Sequence, residues 1–370
     1  ATAPCAQEVM AAMRPFVRDL WADCDLVLDS APVLRRARQN VRRLLGAALD
    51  SDILFTSGGT ESNAVAIRSA LRIHPERREM VTSAVEHPSV LSLCDHLARH
   101  DGYRVHIIGV DHRGRLDLEA YRAALSERVA VVSIMWANNE TGTIFPIEDL
   151  AKMAKPYGCL FHSDAIQAAG RTPLRLASSA VDMVSVSSHI LHGPKGIGAL
   201  YTRHRDMGAW REGDDAANLA GIVGLGKAAD LSFRAMMDLN TRVRVLRDQL
   251  ECDLAARISG AVILGDSSHR LPNTSAMAFE GVDGRDVLRR LNESGIAVSV
   301  GAACATGQAE PSHVLRAMKL PAAMIRGVVR FSLSRETGES EIDQVVAVLP
   351  AVVDRLRWRG LRQKDGAVPQ

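Results

Sequence analysis

The chain has 370 residues, a formal net charge of +2, and a composition that is 47% hydrophobic and 24% charged. That length points to two domains, or to one large domain with an appendage, and the composition is ordinary for a soluble globular protein. No apolar run is long enough to span a bilayer, and the arginines are dispersed along helical stretches such as 34–43 without an aromatic-basic platform, so neither a membrane span nor a nucleic-acid partner is expected. Ala1-Thr2-Ala3-Pro4 has no charged or apolar leader character, so no signal peptide is expected, and the absent Met reads as trimming at this end. Six cysteines (Cys5, Cys24, Cys94, Cys159, Cys252 and Cys304) form no CxxC pair, which leaves zinc and thioredoxin-type readings unsupported. Scattered thiols fit a reducing cytoplasm, and five of the six read as small buried apolar residues.

Short apolar runs predict strands at 53–56, 80–83, 104–108, 129–135, 160–162, 183–186 and 199–201. Most are β-branched or continuously apolar, as strands buried on both faces must be. Amphipathic stretches at 61–72, 89–100, 116–126 and 147–157 predict the intervening helices. This alternation implies an α/β fold, with a mostly parallel sheet covered by helices. A long helical pattern over 227–258 leads into a smaller α+β region with helices at 283–294 and 341–357 and strands at 296–300 and 328–333. The resulting division is an N-terminal segment, 1–30, on the side of the small domain, a large domain over 31–245, and a small domain over 246–370.

Four stretches carry groups suited to chemistry. In Phe55-Thr56-Ser57-Gly58-Gly59-Thr60-Glu61-Ser62 a strand enters a glycine turn and a helix begins at once. Free N–H groups there can cradle a phosphate; the plainer reading is a βα turn capped by Thr60 or Ser62. In Phe161-His162-Ser163-Asp164 an acid ends a strand, where ligands bind in open α/β sheets; it either pairs with a protonated pyridine nitrogen or caps the next helix. Ser187-Ser188-His189-Ile190-Leu191-His192 clusters hydroxyls and imidazoles, as a phosphate and proton-transfer site or as a polar loop. Gly301-Ala302-Ala303-Cys304-Ala305-Thr306-Gly307 places one thiol among small residues, as an accessible nucleophile or as a structural cysteine. His87 follows a further strand and is placed to stack on a ring. Arg330, inside an apolar strand, needs an anion, which a substrate carboxylate or an internal acid would supply.

The order and spacing of these motifs resemble the cysteine desulfurases of the nitrogen-fixation type, within the class V aminotransferases. The similarity runs over 37–356 and is dense in 56–62, 85–94, 136–146, 161–168, 193–198 and 310–334. The resemblance implies aminotransferase fold type I, with a seven-stranded sheet in the large domain, and a homodimer carrying pyridoxal 5′-phosphate. It implies that Gly59, Thr60, Ser187 and Ser188 line the phosphate, with His189 on the same loop as a further cofactor and catalytic residue. By the same resemblance His87 stacks on the ring, Asp164 pairs with its nitrogen, and Asn139 and Gln167 bond near its hydroxyl. Arg330, with Asn139, would hold the carboxylate of L-cysteine. Cys304 would attack the substrate sulfur, keep it as a persulfide and leave alanine, for delivery to a sulfur acceptor or iron–sulfur scaffold protein. No metal is implied.

The chain departs from the family pattern at the site itself. The family reads Ser-x-His-Lys before Gly-Pro-Lys-Gly, and here Ile190 stands at the lysine. Lys195 aligns with the second lysine and does not replace the first. The early Asp-x-x-Ala-Thr-Thr motif survives as Ala1-Thr2-Ala3, the Gly-Asn-Pro loop is absent around 21–29, and the Gly-rich segment between 211 and 224 is shortened, with Asp214 and Asp215 in it. An isoleucine can neither anchor the cofactor covalently nor move a proton, so desulfurase activity is expected to be impaired or absent.

Overall fold

The computed structural model describes residues 3–18, 26–204, 218–301 and 311–365. They form two compact units: residues 1–109, 116–137 and 145–236 in the first, and 110–115, 138–144 and 237–370 in the second. The described N-terminal residues therefore belong with the large unit, not the small one. The reason is local pairing, since Ala3 N–H donates to His189 O and Ala6 N–H to His192 O. The long helical path divides at 236/237, ahead of the expected 245/246.

Helices α1 (Gln7–Arg18) and α2 (Leu26–Leu45) precede β1 (Ile53–Thr56). Then come α3 (Gly59–Ile73), β2 (Glu79–Ser83), α4 (Pro88–His100), β3 (Arg104–Ile108), α5 (Leu118–Ala124), β4 (Val129–Ser133), α6 (Ile147–Ala154), β5 (Leu160–Asp164), β6 (Met183–Ser187) and β7 (Gly198–Thr202). The seven strands make one sheet in the order β1-β7-β6-β5-β4-β2-β3. All pairings are parallel except the two made by β7. The connection from β6 to β7, residues 188–197, is too short for a helical crossover, so the chain returns antiparallel. β2, β4, β5, β6 and β7 are buried at every position, as strands covered on both faces are, polar residues of β2, β5 and β6 included. Apolar faces of α3 and α4 pack on this sheet through Val65, Ile67, Leu71, Val90 and Leu97.

After α7 (Leu219–Asp238) and one π turn, Leu239–Val243, the second unit continues with α8 (Arg244–Arg257), β8 (Ala261–Leu264), β9 (Thr274–Phe279) and α9 (Gly284–Glu293). It ends with β10 (Ser299–Val300), α10 (His313–Ala317), α11 (Ala322–Arg326), β11 (Val328–Ser332) and α12 (Glu339–Asp365). Its antiparallel sheet, β10-β11-β9-β8, is covered by apolar residues of α8, α9 and α12. Strands β8 and β9 have no counterpart in the sequence reading. β9, Thr-Ser-Ala-Met-Ala-Phe, has neither the alternation nor the β-branched run that marks a strand, and it is strand only because β11 and β8 flank it. Of the described cysteines, Cys94 and Cys159 are buried, Cys5 is half-buried and Cys252 is exposed on α8, so fewer serve as core residues than expected. Among the described residues no helix is long and apolar enough to cross a membrane.

One polar chain crosses the middle of the large sheet. His162 Nδ1 lies 2.9 Å from Ser133 Oγ and its Nε2 lies 2.9 Å from Ser185 Oγ, which links β4, β5 and β6 inside the core. With one hydroxyl on each ring nitrogen, the neutral ring is satisfied, and burial pushes its pKa down to about 3. The folded state thus stays neutral where the unfolded chain, near the ordinary value of 6.5, takes up a proton. Stability from this group is full above that value and is lost as pH falls toward the folded one. At pH 5 the loss is about 2 kcal/mol. Urea unfolding at pH 7 and pH 5 should show a steeper acid loss in the parent than in a His162→Gln variant.

Candidate active site

The turn between β1 and α3 is shaped by close backbone packing. Gly58, the helix N-cap, has φ 153°, a conformation open to glycine. A Cβ on Gly198 would meet Val186 O at 2.7 Å and Gly58 Cα at 2.8 Å, so β7 and this turn pass each other backbone to backbone. No side chain caps α3. Ser62 Oγ instead donates back to Gly58 O at 3.1 Å and pairs with Thr56 Oγ1 at 2.8 Å, while Thr60 is exposed. The capping role weighed for Thr60 or Ser62 is therefore not taken, and the first-turn N–H groups keep their capacity for an anion. A Cβ on Gly59 would lie 2.1 Å from Ile166 Cδ1 and 3.6 Å from Ser187 Cβ, which places the turn against the ends of β5 and β6.

Asp164 ends β5 and is 4% exposed. Its carboxylate accepts from Asn63 Nδ2 at 2.8 Å and from Ile166 N–H at 3.0 Å. It thus turns the chain locally, although no helix follows for it to cap, while its other oxygen is held by α3. Burial raises its pKa, against the pull of the Asn63 and Ile166 hydrogen bonds and of His87. Asn63 Nδ2 also reaches Ser89 Oγ at 3.1 Å, and Ser89 Oγ lies 2.9 Å from His87 Nδ1. His87, the N-cap of α4, accepts there from Ser89 N–H as well, which leaves the ring proton on Nε2. Glu86, fully buried beside it, takes 2.5 Å and 2.9 Å hydrogen bonds from Ser83 Oγ and Met135 N–H. Burial pushes its pKa up to about 8, with the Asp164 charge adding to the rise. Burial thus favours the neutral form of Glu86 at neutral pH.

Gln167 Oε1 accepts from Arg171 Nη1 at 2.9 Å, which turns its amide NH₂ the other way, and Arg171 Nη2 reaches Ile190 O at 3.5 Å. Ser187 closes β6, and Ser188, His189 and Ile190 form the 3₁₀ turn after it. Ser188 Oγ is buried with no hydrogen-bond partner among the described residues, and it sits against Gly193, whose Cβ would be 2.0 Å away. His189 is half-buried, and burial lowers its pKa, with Lys195 and His87 adding to the effect. Ile190 is 6% exposed, whereas Lys195 is exposed.

The second unit holds the other expected residues. Arg330 Nη1 donates to the backbone carbonyl of Asn139, and Arg330 faces the charge of Glu140. An internal acid thus accompanies Arg330, one of the two anions its place inside an apolar strand called for. Asn139 Oδ1 is buried without a hydrogen-bond partner among the described residues. Cys304, Cys24, and the segments around 21–25 and 211–217 lie outside the described residues.

The first unit therefore brings together Gly59, His87, Asp164 and Ser187, with Gln167, Ser188, His189 and Ile190 on adjoining turns. Sequence reading missed Asn63, Ser89, Glu86 and Arg171, the residues that hold these in place. Glu86 carried one available signal, an acid directly before His87 at the end of an apolar strand.

Comparison with known proteins agrees with this scaffold. The class-V aminotransferase family model matches residues 1–345. The cysteine desulfurase of Cereibacter sphaeroides is 50% identical over 96% of this chain and 95% of its own length, and the cysteine desulfurase NifS of Azotobacter vinelandii is 48% identical over 97% and 94%. A solved NifS-like protein superposes with a TM-score of 0.86 at 29% identity, covering 96% of this chain and 98% of its own. The chain belongs to the class-V aminotransferase family, in its cysteine desulfurase branch. Its large unit is that family's fold type I scaffold.

Membership implies pyridoxal 5′-phosphate as cofactor. The first unit's residues fit such a group. An uncapped helix start beside Ser187 suits a phosphate, and a buried carboxylate with N–H donors suits a protonated pyridine nitrogen.

Two substitutions test the supports of this site. Glu86 is neutral in the folded state but ionises above its ordinary 4.5 when unfolded, so the stability tied to its proton is lost as pH rises through about 8. Glu86→Gln, neutral throughout, should unfold later than the parent at pH 8 and gain nothing at pH 4, with a ceiling of about 5 kcal/mol on the gap. Gly198→Ala should destabilise by about 1–3 kcal/mol, since backbone atoms cannot yield to the new methyl group, as read by denaturant midpoint.

Proposed function

We propose that this protein is a desulfurase-family member impaired in its own turnover, and that it serves through its fold and Cys304 as a sulfur carrier or partner of an active desulfurase. The observation that carries the reading is Ile190, buried in the turn after Ser187, where the family pattern has its cofactor-anchoring lysine. In this reading the turn at Gly59 and Thr60, with Ser187 and Ser188, holds the cofactor phosphate. Asp164 holds a proton at the ring nitrogen, His87 covers the ring, and Gln167 and Asn139 donate near the ring hydroxyl. Arg330, with Asn139, binds the carboxylate of L-cysteine. When bound, pyridoxal phosphate supplies an electron sink for charge developing at the substrate Cα. The chain offers His189 and His87 as nearby proton-transfer groups, but no amine at residue 190. The missing base alone is worth roughly 10²–10⁴-fold in rate.

Sulfur would arrive on Cys304 by exchange. The Cys304 thiolate attacks the outer sulfur of a donor persulfide, the donor S–S bond breaks, and the donor leaves as a thiolate. The persulfide then passes to a sulfur acceptor or an iron–sulfur scaffold protein. A homodimer in the cytoplasm is the setting that goes with the family and with scattered reduced thiols.

The decisive assay is sulfide release from L-cysteine with added pyridoxal phosphate and a reductant, with Cys304→Ala as control for host desulfurase. The parent is expected to match that control. Ile190→Lys is expected to raise Cys304-dependent release by at least about 100-fold. Cys304-dependent turnover by the parent at the level of Ile190→Lys would overturn the reading. The sulfur-carrier role predicts, in addition, a persulfide on Cys304 when an active desulfurase and L-cysteine are supplied, and none without that enzyme.

A further inference from the structure

Strand β2 ends at Ser83, whereas the chain after β4 goes on bonding to β5 beyond its own last residue. The last paired residues of β2 and β4 are Thr82 and Ser133, and Thr82 Oγ1 donates to Ser133 O at 2.9 Å. Past that pair, Ile134 N–H donates to His162 O at 3.2 Å and Trp136 N–H to Asp164 O at 2.9 Å, both toward β5. Successive N–H groups of an extended chain point to opposite sides, so Met135 N–H faces the side of β2. The β2 chain has turned away by then, with Ala84 N–H pairing with Ile108 O of β3. The Glu86 carboxyl group takes the place of a strand partner. Its Oε1 accepts from Met135 N–H at 2.9 Å and from Ser83 Oγ at 2.5 Å, in a position with no exposure to water. A buried N–H needs such an acceptor.

These bonds close a ring. In one direction, His87 Nδ1 meets Ser89 Oγ at 2.9 Å, Asn63 Nδ2 reaches Ser89 Oγ at 3.1 Å, and the same Nδ2 reaches the Asp164 carboxylate at 2.8 Å. In the other, the Asp164 carbonyl holds Trp136 N–H, the preceding amide is Met135 N–H, and its acceptor Glu86 is the residue before His87. The first path is made of side-chain bonds, and side chains rotate. The second runs through backbone and one buried carboxyl group, so it fixes where the turn bearing His87 stands against the end of β5. Burial favours the neutral form of Glu86, so its oxygen serves as an acceptor and its charge is not required.

We propose that Glu86 is a positioning residue for His87: its carboxyl group stands in for the strand partner that Met135 lacks beyond the end of β2, and so closes a ring of hydrogen bonds that fixes the imidazole relative to Asp164. Glu86 touches no reacting atom in this role. The inference rests on the reading of His87 as the residue that covers the cofactor ring, and its test needs neither cofactor nor turnover.

The test measures carbethoxylation of His87 by diethyl pyrocarbonate in the full-length protein at pH 7, resolved by peptide mass spectrometry. The reagent is attacked by the unprotonated ring nitrogen, here Nδ1, which Ser89 occupies. A turn released from β4 frees the ring from Ser89 and opens that nitrogen. Glu86→Leu removes the acceptor and keeps most of the volume, whereas Glu86→Gln keeps an acceptor oxygen and serves as the conservative rescue. His87 is expected to react about tenfold faster in Glu86→Leu, the equivalent of one hydrogen bond, and within about twofold of the parent in Glu86→Gln. His162, buried with both ring nitrogens bonded, reports general unfolding in the same digests and should stay unmodified. A parental His87 rate in Glu86→Leu would overturn the proposal. So would a Glu86→Gln rate equal to that of Glu86→Leu, because the acceptor would then not govern. Should His162 react in Glu86→Leu, Ser83→Ala decides instead: it removes one of the two donors to Glu86 and is expected to raise the His87 rate about threefold, with a parental rate again overturning the proposal. Failure here leaves the sulfide-release result standing, and a protein that binds no pyridoxal phosphate leaves the His87 rate readable.

Discussion

A carboxylate buried at the carboxyl end of a parallel strand is the constraint on which the first unit's site depends. Asp164 is out of water, and an ion there costs several kcal/mol unless hydrogen bonds replace its hydration. Asn63 and Ile166 N–H do so, and each charged hydrogen bond contributes about 1.5–3 kcal/mol. The same Asn63 joins Ser89 and, through it, His87. Satisfying one carboxylate therefore sets the position of α3, and with it the glycine turn, and also orients the imidazole. A neutral Glu86 beside Asp164 fits the same logic, since two charged acids in one low-dielectric region would oppose each other.

The sheet is built to keep this arrangement rigid. His162 lies two residues before Asp164 on the same face of β5, and its two hydroxyl partners lock the neighbouring strands. Buried polar groups of this kind stabilise only when fully satisfied, and this one is. The second unit follows a different rule. Its antiparallel sheet and covering helices form a separate apolar core, and its polar interior is concentrated around Glu140, Ser312 and Arg330.

Ile190 is best understood against that background. A lysine amine buried in the turn after β6 would carry a desolvation cost that catalysis alone repays. An isoleucine of 6% exposure avoids that cost and adds apolar burial instead. On the proposed register, the scaffold around it, including Asp164, Asn63, His87 and the glycine turn, keeps the geometry of a cofactor site while the reactive amine is gone.

What the sequence by itself determined are the features written in neighbouring residues. Short β-branched or apolar runs marked the seven strands of the large sheet. Glycine turns and strand-end acids marked Gly59 and Asp164, and the ordered motifs marked the family. Only the tertiary structure decided the partners. Asn63 meets Asp164 across 101 positions, and Ser312 meets Glu140 across 172. β9 is a strand because of its neighbours, and Glu86 is neutral because of what surrounds it. The reason is common to all of these. Apolar periodicity and turn chemistry act over a few residues, whereas the hydrogen bonds and desolvation that tune a buried charge arise only between segments the fold has already brought together.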